Sequence, residues 1–458
     1  MTNTTFYQKW WKIALTILLL CIPPEGTQAY NATRVMSYGA RSLGRGGVDI
    51  AIADDSTGIN TNPAGMSWVD GNMVDINLSI LFPDVTMVNP KNKGGRKVKD
   101  RLLLAPGVGM IHHDAGRKWA FGVALAAPDA LATDYTVTAN YLNTDPSKPG
   151  TASCQSAFSE WIHLRLSPAV SYAPNDKLSF GARIGVDYMT LDLRAPLGRS
   201  YLNLGTTDGF GFSVGIGMQY RPNDRLHIGL TAETQSYMQD LTSRSGDASL
   251  KLDVSGLGYP DGTILSFDDM KAEVSEWESA PVIGAGIAFQ CTDRLSVGID
   301  FKYYFWSETN DEMIIRFSGG DADAVKAAVG IDRLRIPFKW EDEWALGIGG
   351  DYRVTDWMTA RLGYNYGKVA GRSNYTTYLA PIIFDHHITL GSTFSFTGFE
   401  LSWALIHSLK NSESNSNPSG VDESITAQLG GIPIDSELNH LELEGALTTI
   451  ALQCTWRF

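Results

Sequence analysis

Two adjacent histidine pairs, His112–His113 and His386–His387, are the residues in this 458-residue chain that first suggest metal chemistry. Neighbours on a strand point to opposite faces, so the two imidazoles of a pair cannot converge on one ion. Both pairs fall near strand ends, where hydrated histidine is ordinary. Of four cysteines Cys21 falls in an apparent export signal, and the Cys154, Cys291 and Cys454 that the mature chain would keep are widely scattered, without metal-ligand spacing and in an odd number that gives no disulfide framework. The chain has neither a Gly-x-Ser-x-Gly elbow nor a phosphate-binding glycine loop. The expectation is no enzyme and no cofactor.

A second constellation is Ala51-Ile52-Ala53-Asp54-Asp55-Ser56, followed by Asn62-Pro63-Ala64-Gly65. The tetrapeptide reads as a tight turn: Pro63 fixes φ, Asn62 caps, and Gly65 permits a positive φ. Asp54 and Asp55 could reach lumenal Arg165, Arg183 or Arg361, or equally cap turns of their own segment. The stretch is too rich in Gly, Asp and Asn for a strand. It is too apolar at Val48, Ile50, Ile52, Ile59 and Met66 for a free linker. It reads as a compact plug spanning residues 30–71.

The elements around it are of two kinds. Lys9 and Lys12, the apolar run Ile13 to Ile22, and Thr27-Gln28-Ala29 read as a signal peptide over residues 1–29. Its removal takes the formal charge from −13 to −14, which disfavours nucleic acid as a partner. With 46 glycines, 10% aromatic residues and no other long apolar run, the remainder suits many short strands rather than spanning helices.

From residue 72 onward one unit repeats: an alternating strand, a short polar turn, another strand and a longer loop. Pro174-Asn175-Asp176-Lys177-Leu178 returns as Pro222-Asn223-Asp224-Arg225-Leu226 and as Cys291-Thr292-Asp293-Arg294-Leu295. Between such turns the period is two. Phe210, Phe212, Val214, Ile216, Met218 and Tyr220 share a face opposite Gly211, Ser213, Gly215, Gly217 and Gln219. One face suits lipid and the other a lumen. Fourteen such segments are legible from the sequence. The last is apolar at Ile450, Leu452, Cys454 and Trp456 and ends on Phe458. An even count with short turns at one end predicts an all-β fold: a 14-stranded antiparallel transmembrane β-barrel, residues 72–458, in a bacterial outer membrane. Its lumen would hold a small helical or irregular hatch. Long loops near 128–160, 240–273, 309–339 and 410–444 would lie outside, as would the basic run Lys91–Lys99.

Gly44-Arg45, Ala51 to Asp55 and Asn62 to Gly65, in that order and ahead of such strands, resemble the FadL family of outer-membrane channels for long-chain fatty acids and other hydrophobic compounds. Leu131-Ala132-Thr133-Asp134-Tyr135, Trp306-Ser307, and Phe338-Lys339 ahead of Ala345-Leu346-Gly347 extend the likeness. The resemblance implies uptake of fatty acids or aromatic hydrocarbons by passive diffusion through a gap in the barrel wall. Asp54, Asp55, Asn62, Pro63, Ala64 and Gly65 would be gate parts of the hatch. Ala126, Ala127 and Pro128 would form the lateral opening, although Pro128 taken alone serves as well to end a strand. Lys339, by its spacing to Ala345-Leu346-Gly347 and its lumenal parity, and Arg194, after the fifth strand but on its lipid-side register and so in a loop unless a bulge intervenes, would be candidates for a substrate carboxylate. Expected partners are the hydrophobic substrate, outer-membrane lipids and the barrel assembly machinery, with the protein a monomer. The rival readings are a general diffusion porin and a structural or adhesive barrel, which rapid sugar flux would favour.

Overall fold

The structure, a computed structural model, describes residues 33–458 apart from 91–94, 100–102, 115, 144, 146, 149–150, 256 and 416–417. The expected signal peptide and the start of the basic run lie outside the described residues. A lipid-embedded backbone must find every hydrogen bond within the protein, and this chain does so by closing 14 antiparallel strands into a barrel. These are β1 (Gly71–Val88), β2 (Leu103–His113), β3 (Trp119–Leu142), β4 (Ala152–Asn175) and β5 (Leu178–Leu197). Next come β6 (Ser200–Asn223), β7 (Leu226–Glu233), β8 (Val282–Gln290), β9 (Leu295–Tyr304) and β10 (Glu343–Thr355). β11 (Met358–Gly367), β12 (His386–Phe396), β13 (Phe399–Ser414) and β14 (Glu442–Arg457) complete the wall. β1 closes on β14 from Met73 opposite Arg457 to Val88 opposite Glu442. Phe458 exchanges two backbone hydrogen bonds with Asn72, at 3.1 and 3.0 Å, which seals the last rung.

Alternation sorts the wall as its side chains dictate. On β5, Phe180, Ile184 and Val186 are exposed outward, while Ser179, Arg183 and Asp187 are buried inward. Trp357, Tyr220 and Trp456 are exposed near strand ends, and Trp119 packs on Tyr172 at 4.6 Å, as an interfacial girdle requires. The repeated turns share one device. Asn175 Oδ1 accepts from Lys177 N at 2.9 Å, Asn223 Oδ1 from Arg225 N at 3.0 Å, and Thr292 Oγ1 from Arg294 N at 3.2 Å.

The segment 128–160, expected as a loop, is mostly strand. β3 and β4 pair on to Leu142 opposite Ala152, and β5 and β6 to Leu197 opposite Ser200, because hairpin pairing satisfies backbone equally well beyond the membrane. Ala248–Asp253, Ile264–Ser275, Glu312–Ser318 and Arg333–Pro337 continue this wall outward. Two helices cover it, α2 (Ala322–Val329) and α3 (Gly420–Gln428); a short α1 (Gly39–Gly44) belongs to the plug.

Candidate functional site

Residues 33–70 fill the lumen, and barrel glycines make the space for them. A Cβ on Gly217 would stand 1.9 Å from Asn62 Oδ1, and one on Gly181 would stand 2.3 Å from Ala64 N. Gly349 and Gly363 receive the backbone at Arg45 in the same way, at 2.0 and 2.3 Å. Asn62 is the cap its position suggested: Oδ1 accepts from Ala64 N at 3.2 Å, ahead of the 3₁₀ turn Pro63–Trp68. Its Nδ2 faces Ile50 O at 2.7 Å and two barrel carbonyls, Met218 O at 3.2 Å and Leu230 O at 3.3 Å. Ser179 Oγ donates to Ala64 O at 3.0 Å. Gly65 differs from the expectation of a positive φ: it is required by contact instead, since a Cβ there would meet Ala53 Cβ at 2.4 Å.

Asp54 and Asp55 do not reach Arg165, Arg183 or Arg361. Asp54 pairs with Arg41 and Arg45 of the hatch itself. Asp55 Oδ1 accepts from Thr57 N at 2.9 Å and Gly58 N at 3.3 Å, and its Oδ2 accepts from Gln453 Nε2 at 2.9 Å. The two arginines nearest in sequence take Asp54, and the barrel arginines already have their own carboxylates. Further tethers between hatch and wall include Arg45 to Asp351 at 3.1 Å, Arg34 to Glu233 at 2.6 Å, and Asp49 N and Ile50 N to Asp300 Oδ2 at 2.6 and 2.8 Å.

The wall is interrupted beside β3. β2 and β3 pair from His112 opposite Phe121 to Val108 opposite Leu125 and no further, although β2 runs on to Leu103 against β1. On its other edge β3 shifts register between Ala126, opposite Arg165, and Asp129, opposite His163, so that Ala127 and Pro128 together oppose Leu164. Pro128 has no N–H for a ladder. The bulge is bonded instead by the N-terminal segment: Val35 N donates to Pro128 O at 3.0 Å and Ala130 N to Thr33 O at 3.3 Å. Above the break lies an apolar pocket of about 20 Å³ lined by Pro83, Val85, Val98, Leu131, Tyr135 and Phe384, large enough only for a water.

Outside the membrane a cavity of about 510 Å³ opens between the outer strands, α2 and α3. Leu250, Leu252, Val325, Ile425 and Ile434 supply its apolar lining, and Arg199, Arg316, Lys326 and Arg333 its cations. Beneath it Trp277 packs against Trp161 at 5.2 Å, Phe338 at 5.0 Å and Trp340 at 5.5 Å, and Trp340 meets Trp306 at 5.2 Å. One continuous cluster of buried apolar side chains joins the cavity lining, these rings, Tyr135 and Ala127. The segment 418–441 lines one side of the cavity through Ile425, Leu429, Ile432 and Ile434. Its Glu437 accepts from Tyr378 Oη at 2.8 Å, and burial pushes that carboxyl up to about 8.

Lys339 and Arg194 do not line this cavity. Lys339 precedes β10 in irregular backbone with φ 50°, where strand parity gives no direction, and its Nζ pairs with Asp311. Arg194 is not in a loop but on β5, beyond a register shift; it is exposed, over the Phe158 ring at 4.6 Å and paired with Asp192 at 3.1 Å. The histidine pairs hold no metal geometry among the described residues; His113 Nδ1 lies 2.7 Å from Val69 O and His112 Nδ1 2.6 Å from Asn72 Oδ1. The cavity lining went unread because it is assembled from four insertions with no common period.

Residues 26–402 match the family model described as outer membrane protein transport protein (OMPP1/FadL/TodX). A curated relative, the 47 kDa outer membrane protein of Pasteurella multocida (strain Pm70), is 22% identical over 387 residues, 81% of this chain and 85% of the relative. Among solved structures, the Pseudomonas putida toluene transporter TodX superimposes with TM-score 0.72 at 19% identity, over 92% of this chain and 99% of that one. The Ralstonia pickettii toluene transporter TbuX gives 0.66 at 19% identity, over 94% and 100%. A Pseudomonas aeruginosa FadL homologue gives 0.67 at 16% identity, over 94% and 100%. At such identities the structural likeness speaks for the fold.

Proposed function

The chain belongs to the OMPP1/FadL/TodX family of outer membrane transport proteins, and on that premise we propose that hydrophobic small molecules leave its lumen sideways, through the break beside β3, into the bilayer. The protein resides in the bacterial outer membrane and transports hydrophobic compounds. The substrates of the proposed route are long-chain fatty acids or aromatic hydrocarbons; two of the similar structures are toluene transporters. Molecules collect in the outer cavity, whose size suits a small ligand. They pass along the aromatic cluster toward Ala126, Ala127 and Pro128. A carboxylate, where the substrate has one, meets the rim cations Arg199 and Arg316 first; Lys339 serves only after releasing Asp311.

The observation that carries this reading is the break itself. Leaving an apolar site for water costs about 0.8 kcal/mol per CH₂, so an aqueous exit penalises a greasy solute that a lateral exit does not. Asp54, Asp55 and Asn62 to Gly65 act as the fixed seat of the gate, and movement is confined to Thr33–Val35 and the bulge. The route is passive, set by partition between cavity and lipid.

Deletion of Ala127 combined with Pro128→Val removes the extra residue of the bulge and restores the backbone donor that Pro128 lacks, which lets β3 pair with β2 along its length. Cells carrying that variant at normal surface level are expected to lose uptake of radiolabelled oleate and toluene. Undiminished uptake of both would refute the lateral route.

A further inference from the structure

A charged network is buried against the bulge and takes no part in the apolar path. His163 on β4, Asp129 on β3 and Asp187 on β5 are each 0% exposed. His163 Nδ1 lies 2.8 Å from Asp129 Oδ2, and its Nε2 lies 2.8 Å from Asp187 Oδ1. Arg165 Nε donates to that same Asp187 oxygen at 2.6 Å. Glu233 on β7 receives Arg165 at 2.5 Å, Arg34 at 2.6 Å and Arg183 at 2.6 Å. From the hatch, Tyr38 faces Arg34 and Glu233. Arg34 Nη1 also donates to Ser279 Oγ at 2.6 Å.

An ionised carboxylate only accepts, and a neutral imidazole carries a single N–H. Both ring contacts therefore demand one further proton, on the ring or on one of the two carboxyls. Charge balance opposes it. Arg34, Arg165 and Arg183 already match Asp129, Asp187 and Glu233, so that proton adds unmatched buried charge. Hydrogen bonding retains the proton while charge balance expels it. On its loss the weaker of the two contacts parts. Asp187 keeps the Arg165 hydrogen bond; among the described residues the Asp129 carboxylate keeps the Thr33 hydroxyl, at 3.5 Å, and the charge of Arg34 without a hydrogen bond to it.

We propose that His163 is a proton-dependent latch, tying the β3 bulge to β5 when both ring nitrogens donate and freeing Asp129, together with the Thr33–Val35 segment paired beside it, when one proton leaves. This rests on the reading of the break as the exit, and identifies what holds that exit shut. It makes His163 a positioning residue of the gate, without contact to substrate.

The test uses the full mature chain in detergent micelles without substrate. ¹⁵N-histidine NMR, assigned with His163→Gln, is expected to show two ring N–H groups while the latch is tied and one after it is freed at raised pH. Hydrogen exchange at residues 33–36 and 127–131, referenced to hatch residues 56–68, is expected to quicken several-fold in step. In Asp129→Asn the amide donates to a neutral ring while Nε2–H still serves Asp187, so the pH dependence should vanish. His163→Gln can donate to both carboxylates only by splitting one amide between them, and should exchange rapidly at every pH. A ring that never changes protonation, an Asp129→Asn protein that keeps the pH dependence, or slow exchange in His163→Gln overturns the latch. Neither readout involves uptake, so the latch can fail with the lateral route intact.

Discussion

At the residue scale the hatch is held by close approach more than by charge. Asn62 bonds the hatch to carbonyls of two barrel strands, and Gly217 exists as glycine because a side chain there would occupy the Asn62 oxygen's place. Gly217→Ala is therefore expected to destabilise the protein by about 1–3 kcal/mol, the cost of overpacking a filled site. Gly371→Ala, where the nearest atom would be 3.7 Å away, should leave the thermal midpoint nearly unchanged. Equal midpoints for the two variants would contradict the seating described. Asn62→Ala should cost a similar amount, about 1–3 kcal/mol, by leaving Ala64 N without its buried acceptor.

At the element scale, pairing decides what each segment does. β2 and β3 separate because Pro128 cannot ladder and the N-terminal segment takes the bonds released. The outer segment 418–441 is secured differently, through a buried carboxyl. Glu437 titrates near 8 in the folded protein against an ordinary 4.5, because burial disfavours its charged form. A folded value raised above the unfolded one stabilises the docked loop fully below about 4.5, progressively less as pH climbs, and no longer above about 8. Limited proteolysis within 418–441 should accordingly accelerate from pH 5 toward pH 9, and Glu437→Gln should flatten that profile. Cleavage independent of pH in the unaltered chain would remove this role for Glu437.

At the scale of the whole molecule, the barrel is an outer wall whose lumen is occupied. Thr33 through Asp55 bond to β3, β7, β9, β10 and β14, so the plug is part of the barrel's interior packing and not an inserted ball. Planar bilayers should show almost no conductance for the intact chain. Deleting residues 33–69 should open a water-filled pore lined by the buried charges of β4, β5 and β10, with conductance characteristic of a wide barrel. A large conductance before deletion would favour a diffusion porin.

The sequence by itself determined the barrel. Period-two alternation is a local property: each strand's lipid and lumen faces and the Asn and Thr turn caps depend on residues adjacent in the chain or across one turn. The Asn62 cap was legible for the same reason, since its acceptor serves Ala64 two residues on. What only the tertiary structure decided is every contact between segments far apart. Parity marked Arg165 and Arg183 as lumenal but could not name Glu233 as their common partner, and it had no purchase on Lys339, whose backbone leaves the strand before the side chain is reached. The outer cavity needs four insertions to meet, and the glycines that read as lumen lining prove to be the sockets of the hatch. Such contacts follow from closure of the sheet, which brings residues hundreds apart within bonding distance and leaves no periodic trace in the chain.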